Sequence, residues 1–314
     1  MTAPLSEIHA AGITVLGTSL AGEETLAIVP EMNLAFDIGR APRELIGIDH
    51  VFLTHGHMDH SAGVAYYFSQ RMFIDNKPGN LYLPDGLADP VRRLLSIWAD
   101  IDGQEPAANI HVARPGDDIR LRRDLIVRPF QVDHPSRRRG RRVVHALGYA
   151  AIEVRKKLKP EYRDLTGPQI VELKRNGTEI EYLVEIPLVA YCGDTAPGAF
   201  LELEYVRRAK VLLLECTFVE PDHLERARAG SHMHISYLRS IVPKLENERI
   251  ILTHLSRRTS IADAKRCLRA ELGAEMDERV CLLMDQRRRG RRHANAGGRG
   301  RQAAAARDAV AGNR

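Results

Sequence analysis

The feature that most constrains this chain is a histidine-rich block that directly follows an apolar run. The run, residues 51–53, is typical of the end of a buried strand. The block, residues 55–60 with the sequence HGHMDH, places three imidazoles and one carboxylate within six positions. In an extended chain His55 and His57 point the same way, because side chains alternate with a period of two. Neutral imidazole and carboxylate are the usual protein ligands of zinc. The block therefore predicts a strand that ends in a loop holding two metal ions.

The same block resembles the H-x-H-x-D-H signature of the metallo-β-lactamase superfamily. The resemblance implies an α/β fold, the αββα sandwich, in which two β-sheets pack face to face with helices on both outer sides. It also implies that the metals lie at one edge of the sandwich. The signature is specific for the superfamily but not for the reaction, because one fold serves many activities.

Length and composition fit one large domain followed by a tail. The chain has 314 residues, of which 44% are hydrophobic, enough for a substantial core. We predict that residues 1–285 form the domain and that residues 286–314, rich in arginine, glycine and alanine, form a disordered basic tail. Such a tail either adds non-specific affinity for nucleic acid or only keeps the protein in solution.

Charge, cysteines and hydropathy indicate where the protein acts. The formal net charge of +5 favours an anionic partner, although weakly. The four cysteines are far apart and form no CxxC pair, so we interpret them as reduced thiols. No apolar stretch approaches the roughly 18 residues needed to span a bilayer. We therefore expect a cytoplasmic protein with no membrane contact.

Hydrophobic periodicity predicts the elements around the block. Residues 8–38 are typical of β-hairpins, and residues 61–73 and 90–98 have the spacing of helices. The second helix places four apolar side chains on one face, which we expect to pack in the core: Val91, Leu94, Leu95 and Trp98.

Ligand-type residues recur at the ends of six apolar strands, which are the strands that end in Asp37, His55, His134, Asp194, Glu215 and His254. Strand ends gathered at one edge build a single site, so we expect these side chains to converge. Asp194 is the natural carboxylate to bridge two metals. Asp37 either holds a ligand histidine or only completes a strand-end turn. His134 competes with His145 for the remaining ligand position, and we favour His134 because it follows its strand as His55 does.

Two basic segments are candidates for substrate binding. The first has five arginines between residues 137 and 142, including Arg137, Arg138 and Arg139. It is either a solvated surface loop or a cationic lip that holds a phosphate chain beside the metals. The second segment, residues 155–182, differs from its surroundings in its mixed charge, and we interpret it as an inserted arm. Its candidate contacts with substrate are Lys156, Lys157 and Lys159.

Several stretches resemble the ribonuclease Z family, the endonucleases that process the 3′ end of tRNA, in its short plant-type branch. They are FDIGR at 36–40, the block at 55–60, the segment 134–149, YCGDT at 191–195, LECT at 214–217 and LTHLSRR at 252–258. Together with the arm, the resemblance covers roughly residues 13–270. The chain departs from the family in its extra arginines after His134, in its short arm, and in the sequence GSHMH at 230–234 where the family has Gly-His-Ser-Thr.

The resemblance implies a zinc-dependent endoribonuclease that removes the 3′ trailer of precursor tRNA and leaves a 3′-hydroxyl on the tRNA. One zinc would take His55, His57 and His134, the other would take Asp59, His60 and His254, and Asp194 would bridge them. Two cations about 4 Å apart would activate the attacking water and clamp the reacting oxygens. The candidate catalytic residues are Asp59, Glu215 and His232. Glu215 would orient His232, the favoured proton donor, although His234 is an alternative. The resemblance also implies a homodimer in which the arm of one subunit serves the site of the other.

The sequence is also compatible with other metals and with two other functions. Histidine and aspartate also suit manganese or iron. A hydrolase of the same fold that acts on a small phosphodiester or a lactone would share the metal block, but it would have no use for the arm. A module that only binds RNA is a third possibility, against which the intact set of ligands argues.

Overall fold

In the computed structural model, residues 5–74, 77–136 and 144–285 are described, and within them the chain forms two seven-stranded sheets. The first sheet contains β1 (Ser6–Ala10), β2 (Ile13–Leu20), β3 (Glu24–Val29), β4 (Leu34–Phe36), β5 (His50–Phe52), β6 (Gly79–Pro84) and β7 (Ala108–Ala113). The second contains β8 (Ile119–Arg122), β9 (Leu125–Ser136), β10 (Val144–Leu158), β11 (Glu181–Tyr191), β12 (Val211–Glu215), β13 (Arg249–Thr253) and β14 (Val280–Leu282).

The two sheets repeat one connectivity. In each sheet the strands lie in sequence order, the first four pair antiparallel, and the last four pair parallel. Parallel neighbours need a crossover connection, and helices supply most of these connections. The helices are α1 (Arg43–Ile46), α2 (Met58–Ser61), α3 (Val64–Arg71), α4 (Ala88–Asp102), α5 (Gly167–Arg175), α6 (Glu204–Arg207), α7 (Leu224–Gly230), α8 (Ile235–Ile241), α9 (Ile261–Leu272) and α10 (Glu275–Glu278).

Three apolar layers hold these elements together. The central layer lies between the sheets and joins residues of both, such as Phe36 in β4 and Leu213 in β12. A second layer packs α1, α3 and α4 on the outer face of the first sheet. A third packs α8 and α9 on the outer face of the second sheet, with Leu238 and Leu268 buried. The order helix, sheet, sheet, helix confirms the predicted αββα sandwich.

Two of the strands that lead into the candidate site, β4 and β12, are buried along their whole length. β12 is an uninterrupted apolar run until Glu215, and all five of its residues are buried. This composition is typical of parallel strands that are covered on both sides. Asp37 and His254 directly follow β4 and β13, His55 and Asp194 follow the turns after β5 and β11, and Glu215 ends β12, so these strands present their carboxyl ends to one common edge. His134 was predicted to follow its strand, but it lies within β9, because pairing with β10 continues to Ser136.

The predicted β-hairpins agree with the structure, whereas the two predicted helices differ from it in part. The β-hairpins predicted over 8–38 are β1 to β4, whereas the helix predicted over 61–73 is divided into α2 and α3. The helix predicted over 90–98 is α4, which is longer. Leu95 is buried, but Leu94 and Trp98 are 38% and 47% exposed, so the prediction that they pack in the core is wrong. The physical reason is that the stripe of α4 that contacts the sheet and α3 is narrower than the apolar face of α4.

The segment predicted as an arm continues two strands of the second sheet. β10 and β11 pair from Tyr149 opposite Tyr191 out to Leu158 opposite Glu181. Beyond this hairpin the chain forms α5, which begins with a capping box between Thr166 and Gln169. None of the helices in the described part of the chain combines the length and the apolar character needed to cross a bilayer.

Candidate metal centre

Side chains from both sheets meet at one edge of the sandwich. The ligand atoms of a first group, His55, His57, His134 and Asp194, all lie within 4.8 Å of one another. Those of a second group, Asp59, His60 and His254, are equally close together. The structure thus brings together all seven residues that the sequence predicts as metal ligands.

Backbone geometry at the strand ends aims these side chains. His57 is extended and directly precedes α2, so Asp59 and His60 fall on the first turn of that helix. Asp37 and His254 lie in the left-handed region, with φ of 57° and 58°. Aspartate and histidine are among the non-glycine residues that adopt this conformation most often. In both places the chain turns sharply after a buried strand and directs the side chain toward the site.

Asp194 lies between the two groups. Its Oδ2 atom is 3.6 Å from His55 Nε2 and 3.3 Å from His254 Nε2. Its Oδ1 atom is 3.3 Å from His60 Nε2. Oδ1 is also fully buried and has no hydrogen-bond partner among the described residues. A buried carboxylate oxygen without a partner is costly, so this atom is suited to a cation.

The imidazoles turn their second nitrogens outward and leave the others facing the centre. His60 Nδ1 donates to Asp37 Oδ2 at 2.8 Å, and His134 Nδ1 donates to the carbonyl of Ser231 at 3.1 Å. The inward pairs are His60 Nε2 with His254 Nε2 at 3.4 Å, and His134 Nε2 with His57 Nδ1 at 3.3 Å. Inward nitrogens this close together can bind one cation in common once they are unprotonated. The residues present therefore fit divalent cations.

Burial and charge set the protonation of the first group. Burial lowers the pKa of His55 well below its usual value, and positive charge on His60 adds to the effect. Burial likewise lowers the pKa values of His57 and His134. These histidines are therefore neutral near pH 7, the form in which imidazole binds metal.

The carboxylates keep their charge. Burial alone would raise the pKa of Asp59, but its hydrogen bond with His254 and the charge on His60 lower it to about 2. The pKa of Asp194 lies well below its usual value because His254 and His60 outweigh the effect of burial. Burial lowers the pKa of His60, but Asp194 and Asp37 raise it well above its usual value. A proton on His60 thus balances the buried negative charge, and a divalent cation would take its place.

A buried carboxylate and a histidine lie beside the two groups. Glu215 Oε1 accepts from His232 Nδ1 at 2.8 Å and from the Thr195 amide at 2.7 Å. The His232 ring stacks on that of His254 at 5.3 Å between centroids, with 19° between the planes. It also lies 4.9 Å from the His134 ring. His232 therefore lies beside both groups, and its ligand atom also forms a third cluster within 4.8 Å with those of Asp194, Glu215 and His254.

The other histidine of this segment points away from the centre. His234 is buried, and its Nδ1 atom accepts from the Ser236 amide, which caps α8. Its Nε2 atom donates to the Glu220 carbonyl at 2.9 Å. Because both ring nitrogens are engaged in local structure, His234 is not placed to serve the metal groups.

Known proteins share this architecture and sequence. Residues 28–158 match the family model described as Beta-lactamase superfamily domain. The chain is 33% identical over 275 residues to tRNase Z TRZ1 of Arabidopsis thaliana, covering 87% of this chain and 95% of the relative. It is also 33% identical over 272 residues to tRNase Z TRZ2, chloroplastic, of the same plant, covering 86% and 74%. The chain belongs to the tRNase Z family.

A solved structure supports the same fold. Human tRNase Z, short form, superposes with a TM-score of 0.51 at 15% identity, covering 89% of this chain and 93% of that chain. Membership of the family, the metallo-β-lactamase fold and the candidate ligands make the chain a ribonuclease Z-like, metal-dependent hydrolase that uses divalent metal.

The basic residues predicted to bind substrate differ in their surroundings. Lys156 pairs with Glu181 at 3.7 Å, and Lys159 pairs with Glu179 at 3.4 Å. Lys157 is exposed and forms no ion pair with the described residues. Arg137, Arg138 and Arg139 lie outside the described residues, as do the tail at 286–314 and the side chain of His145, which competed with His134.

Three hydroxyl residues of the site were not predicted from the sequence. Thr54 and Tyr191 both donate to the Asp37 carboxylate at 2.8 Å. Thr217 donates to Glu215 Oε2 at 2.5 Å. The available signal was a hydroxyl beside a histidine or an acid at the end of a buried strand. Of the two interpretations of Asp37, the structure agrees with the first, because Asp37 accepts a hydrogen bond from the candidate ligand His60.

Proposed function

We propose that this chain is a zinc-dependent endoribonuclease that removes the 3′ trailer of precursor tRNA. The observation that carries the proposal is that seven candidate ligands and the His232–Glu215 pair meet at one edge of the sandwich. The relatives named tRNase Z, which align over most of this chain, support the choice of substrate.

The ligands divide between two cations in this proposal. His55, His57 and His134 would hold one, and Asp59, His60 and His254 would hold the other. Asp194 would serve both, because its carboxylate also lies 3.3 Å from His60 and from His254. Ligand sets rich in imidazole favour zinc, although manganese is compatible with them. When bound, such a pair supplies an activated water and neutralises charge at the scissile phosphate.

His232 supplies the proton that the leaving 3′-oxygen needs. Burial lowers its pKa, but the charge and the hydrogen bond of Glu215 raise it to about 9, so Glu215 favours the protonated ring. Its Nδ1 atom is held by Glu215, and its Nε2 atom has no hydrogen-bond partner among the described residues. Nε2–H is therefore the donor that can reach a substrate oxygen.

Replacing the two histidines separately tests this assignment. We expect His232→Ala to lower the rate of precursor-tRNA cleavage by about 10²- to 10⁴-fold, the usual contribution of general acid catalysis. The matched control is His234→Asn, which keeps an acceptor at the N-cap of α8 and should leave the rate within about threefold of the wild type. The measurement is single-turnover cleavage of a precursor tRNA that carries a 3′ trailer.

Metal content and thermal unfolding of both variants separate catalysis from structure. Full activity in His232→Ala together with lost activity in metal-loaded His234→Asn would reverse the assignment. Absence of cleavage by the zinc- or manganese-loaded wild type would overturn the proposed reaction itself.

The arm supports a large substrate rather than a small one. Between Tyr149–Tyr191 near the site and Leu158–Glu181 in the arm, the hairpin extends about 30 Å at the usual rise per residue. The arm lysines therefore lie too far from Asp194 of the same chain to touch the cleaved phosphate. Lysines at this distance suit the backbone of a long polyanion. We propose Lys157, with Lys156 and Lys159, as tRNA contacts, and the arginines 137–139 as a further contact.

Removing the arm tests its role. Residues 159–180, which include Lys159, can be replaced by an Asn-Gly turn that joins Leu158 to Glu181, which already face each other in the hairpin. Lys156 and Lys157, which this turn leaves in place, are changed to alanine in the same variant. We expect the KM for precursor tRNA to rise at least about tenfold. Loss of a few phosphate contacts weakens nucleic-acid binding by an amount on this order. Hydrolysis of a chromogenic phosphodiester by the same sample should be unchanged. An equal loss with both substrates, or no loss with either, would contradict a role in tRNA binding.

An exposed apolar surface supports the proposed homodimer. Leu94, Ile97, Trp98 and Ile101 follow a helical stripe along α4, and Tyr66 of α3 lies beside them. Tyr66, Trp98 and Ile101 line a groove of about 270 Å³ between the two helices. At roughly 100 Å² each, these five half-exposed side chains amount to about 500 Å² of the ~800 Å² that one partner buries in a standard interface. We propose that a second copy of this chain covers this surface.

Sedimentation velocity tests the dimer. The wild type should sediment as a dimer at micromolar concentration, whereas Ile101→Glu should shift it to the monomer by placing a charge in the apolar surface. Leu183→Glu, a matched change on the exposed arm, should leave the dimer intact. A monomeric wild type, or a dimer that resists Ile101→Glu, would contradict this interface.

The cytoplasmic location stays a prediction, and one relative is named chloroplastic.

A further inference from the structure

Asp37, which follows β4 of the first sheet, is the centre of a hydrogen-bond network that contacts the candidate ligands. Its carboxylate is fully buried and accepts from the Thr54 amide, the Thr54 hydroxyl and the Tyr191 hydroxyl, each at 2.8 Å. It also accepts from His60 Nδ1 at 2.8 Å. Asp37 therefore holds one candidate ligand, His60, by a direct bond.

Thr54 extends this network to a second ligand. Its Oγ1 atom lies 3.0 Å from His55 Nδ1. A threonine hydroxyl has a single proton, and an ionised carboxylate can only accept. Because Thr54 gives its proton to Asp37, the proton shared with His55 must be the imidazole's own, on Nδ1. His55 Nε2 is then unprotonated, and this is the atom that faces Asp194.

The second sheet repeats the arrangement with different residues. Glu215 accepts directly from His232 Nδ1 at 2.8 Å. It also accepts from the Thr217 hydroxyl at 2.5 Å, and Thr217 Oγ1 lies 2.9 Å from His254 Nδ1. The same proton count places a hydrogen on His254 Nδ1 and leaves Nε2 unprotonated toward Asp194.

We propose that Thr54 and Thr217 are positioning residues that select the metal-binding tautomers of His55 and His254, one threonine for each metal group. Each buried carboxylate thus controls two imidazoles, one directly and one through a threonine hydroxyl. The inference rests on the proposed metal ligands and is independent of the substrate that is cleaved.

Burial explains why the hydroxyls are needed. Thr54 and His55 are fully buried, and Thr217 and His254 are almost so, hence water has little access to replace a lost partner. An imidazole without an acceptor for Nδ1–H can move its proton to Nε2, where it would block the bond to a cation. Partners of this kind behind metal ligands typically change metal affinity by about 10- to 100-fold when removed.

Thr217 also connects the second metal group to the proposed proton donor. Its Oγ1 atom is 3.4 Å from His232 Nδ1, and Glu215 accepts from both residues. One carboxylate therefore orients the ligand His254 and the donor His232 together. Loss of the Thr217 hydroxyl should disturb metal binding and proton donation at once, whereas loss of the Thr54 hydroxyl should disturb metal binding alone.

Serine and alanine variants at each position separate the hydroxyl from the rest of the side chain. Both substitutions remove the same methyl group, and only alanine removes the hydroxyl. Titration of the apoprotein with zinc against a chromophoric chelator measures the affinities. We expect the wild type to bind two equivalents, Thr54→Ala and Thr217→Ala each to weaken one of them about 10- to 100-fold, and both serine variants to stay within about threefold of the wild type.

A background variant identifies which metal each threonine serves. In His254→Ala, which removes a ligand of the second group, Thr54→Ala should weaken the remaining metal, whereas Thr217→Ala should have little further effect. Histidine ¹⁵N spectra of the folded apoproteins provide a second readout, because they report which ring nitrogen carries the proton.

The outcomes distinguish this inference from the proposed function. If the wild type binds two equivalents but the alanine and serine variants bind them equally well, the tautomer role is wrong while the metal centre stands. Unchanged ¹⁵N signals of His55 and His254 in the alanine variants would overturn it as well. If the wild type binds no metal, both proposals fall. Tight metal binding with no tRNA cleavage would overturn the reaction and leave this inference intact.

Discussion

The molecule depends on electrostatic compensation within one buried pocket. Four histidines and Asp194 are at most 4% exposed, and both sheets contribute to them. Burying such groups is favourable only when hydrogen bonds or opposite charges replace water. The outward nitrogens of His55, His60, His134 and His254 have these partners. The inward nitrogens instead face Asp194 and one another, and Asp194 Oδ1 has no hydrogen-bond partner among the described residues. A divalent cation would complete the pocket and would link the two halves of the sandwich.

The repeated connectivity of the sheets explains why the site lies where it does. In each half, parallel strands end at the same edge, and a sharp turn follows the strand. Asp37 and His254 use the left-handed conformation for this turn, while Gly193 does so ahead of Asp194. A side chain at Gly193 would collide with Thr54, so close packing of the two halves begins at the residues that hold the ligands. Each half then contributes one buried carboxylate, one threonine and part of the ligand set.

Much of this arrangement is readable from local sequence. A buried strand that leads into a histidine or a carboxylate is a short-range pattern, and six such ends were enough to predict that these side chains converge. The sandwich was implied by the resemblance of residues 55–60 to the H-x-H-x-D-H signature. Contacts between side chains that are far apart in the sequence could not be predicted. Thr217 lies 37 positions from His254, and Lys156 pairs with Glu181, so neither contact leaves a local pattern. The face of α4 was misjudged because periodicity shows which side chains are apolar but not which of them the neighbouring elements cover. The arginines 137–139 and the tail stay predictions.

The most direct test of the central claim is a crystal structure of the zinc-loaded protein with anomalous diffraction measured on both sides of the zinc absorption edge. We expect two peaks per chain, one among His55, His57 and His134, the other among Asp59, His60 and His254, with Asp194 between them. Peaks at unrelated positions, or an empty pocket in protein that is saturated with zinc, would contradict it.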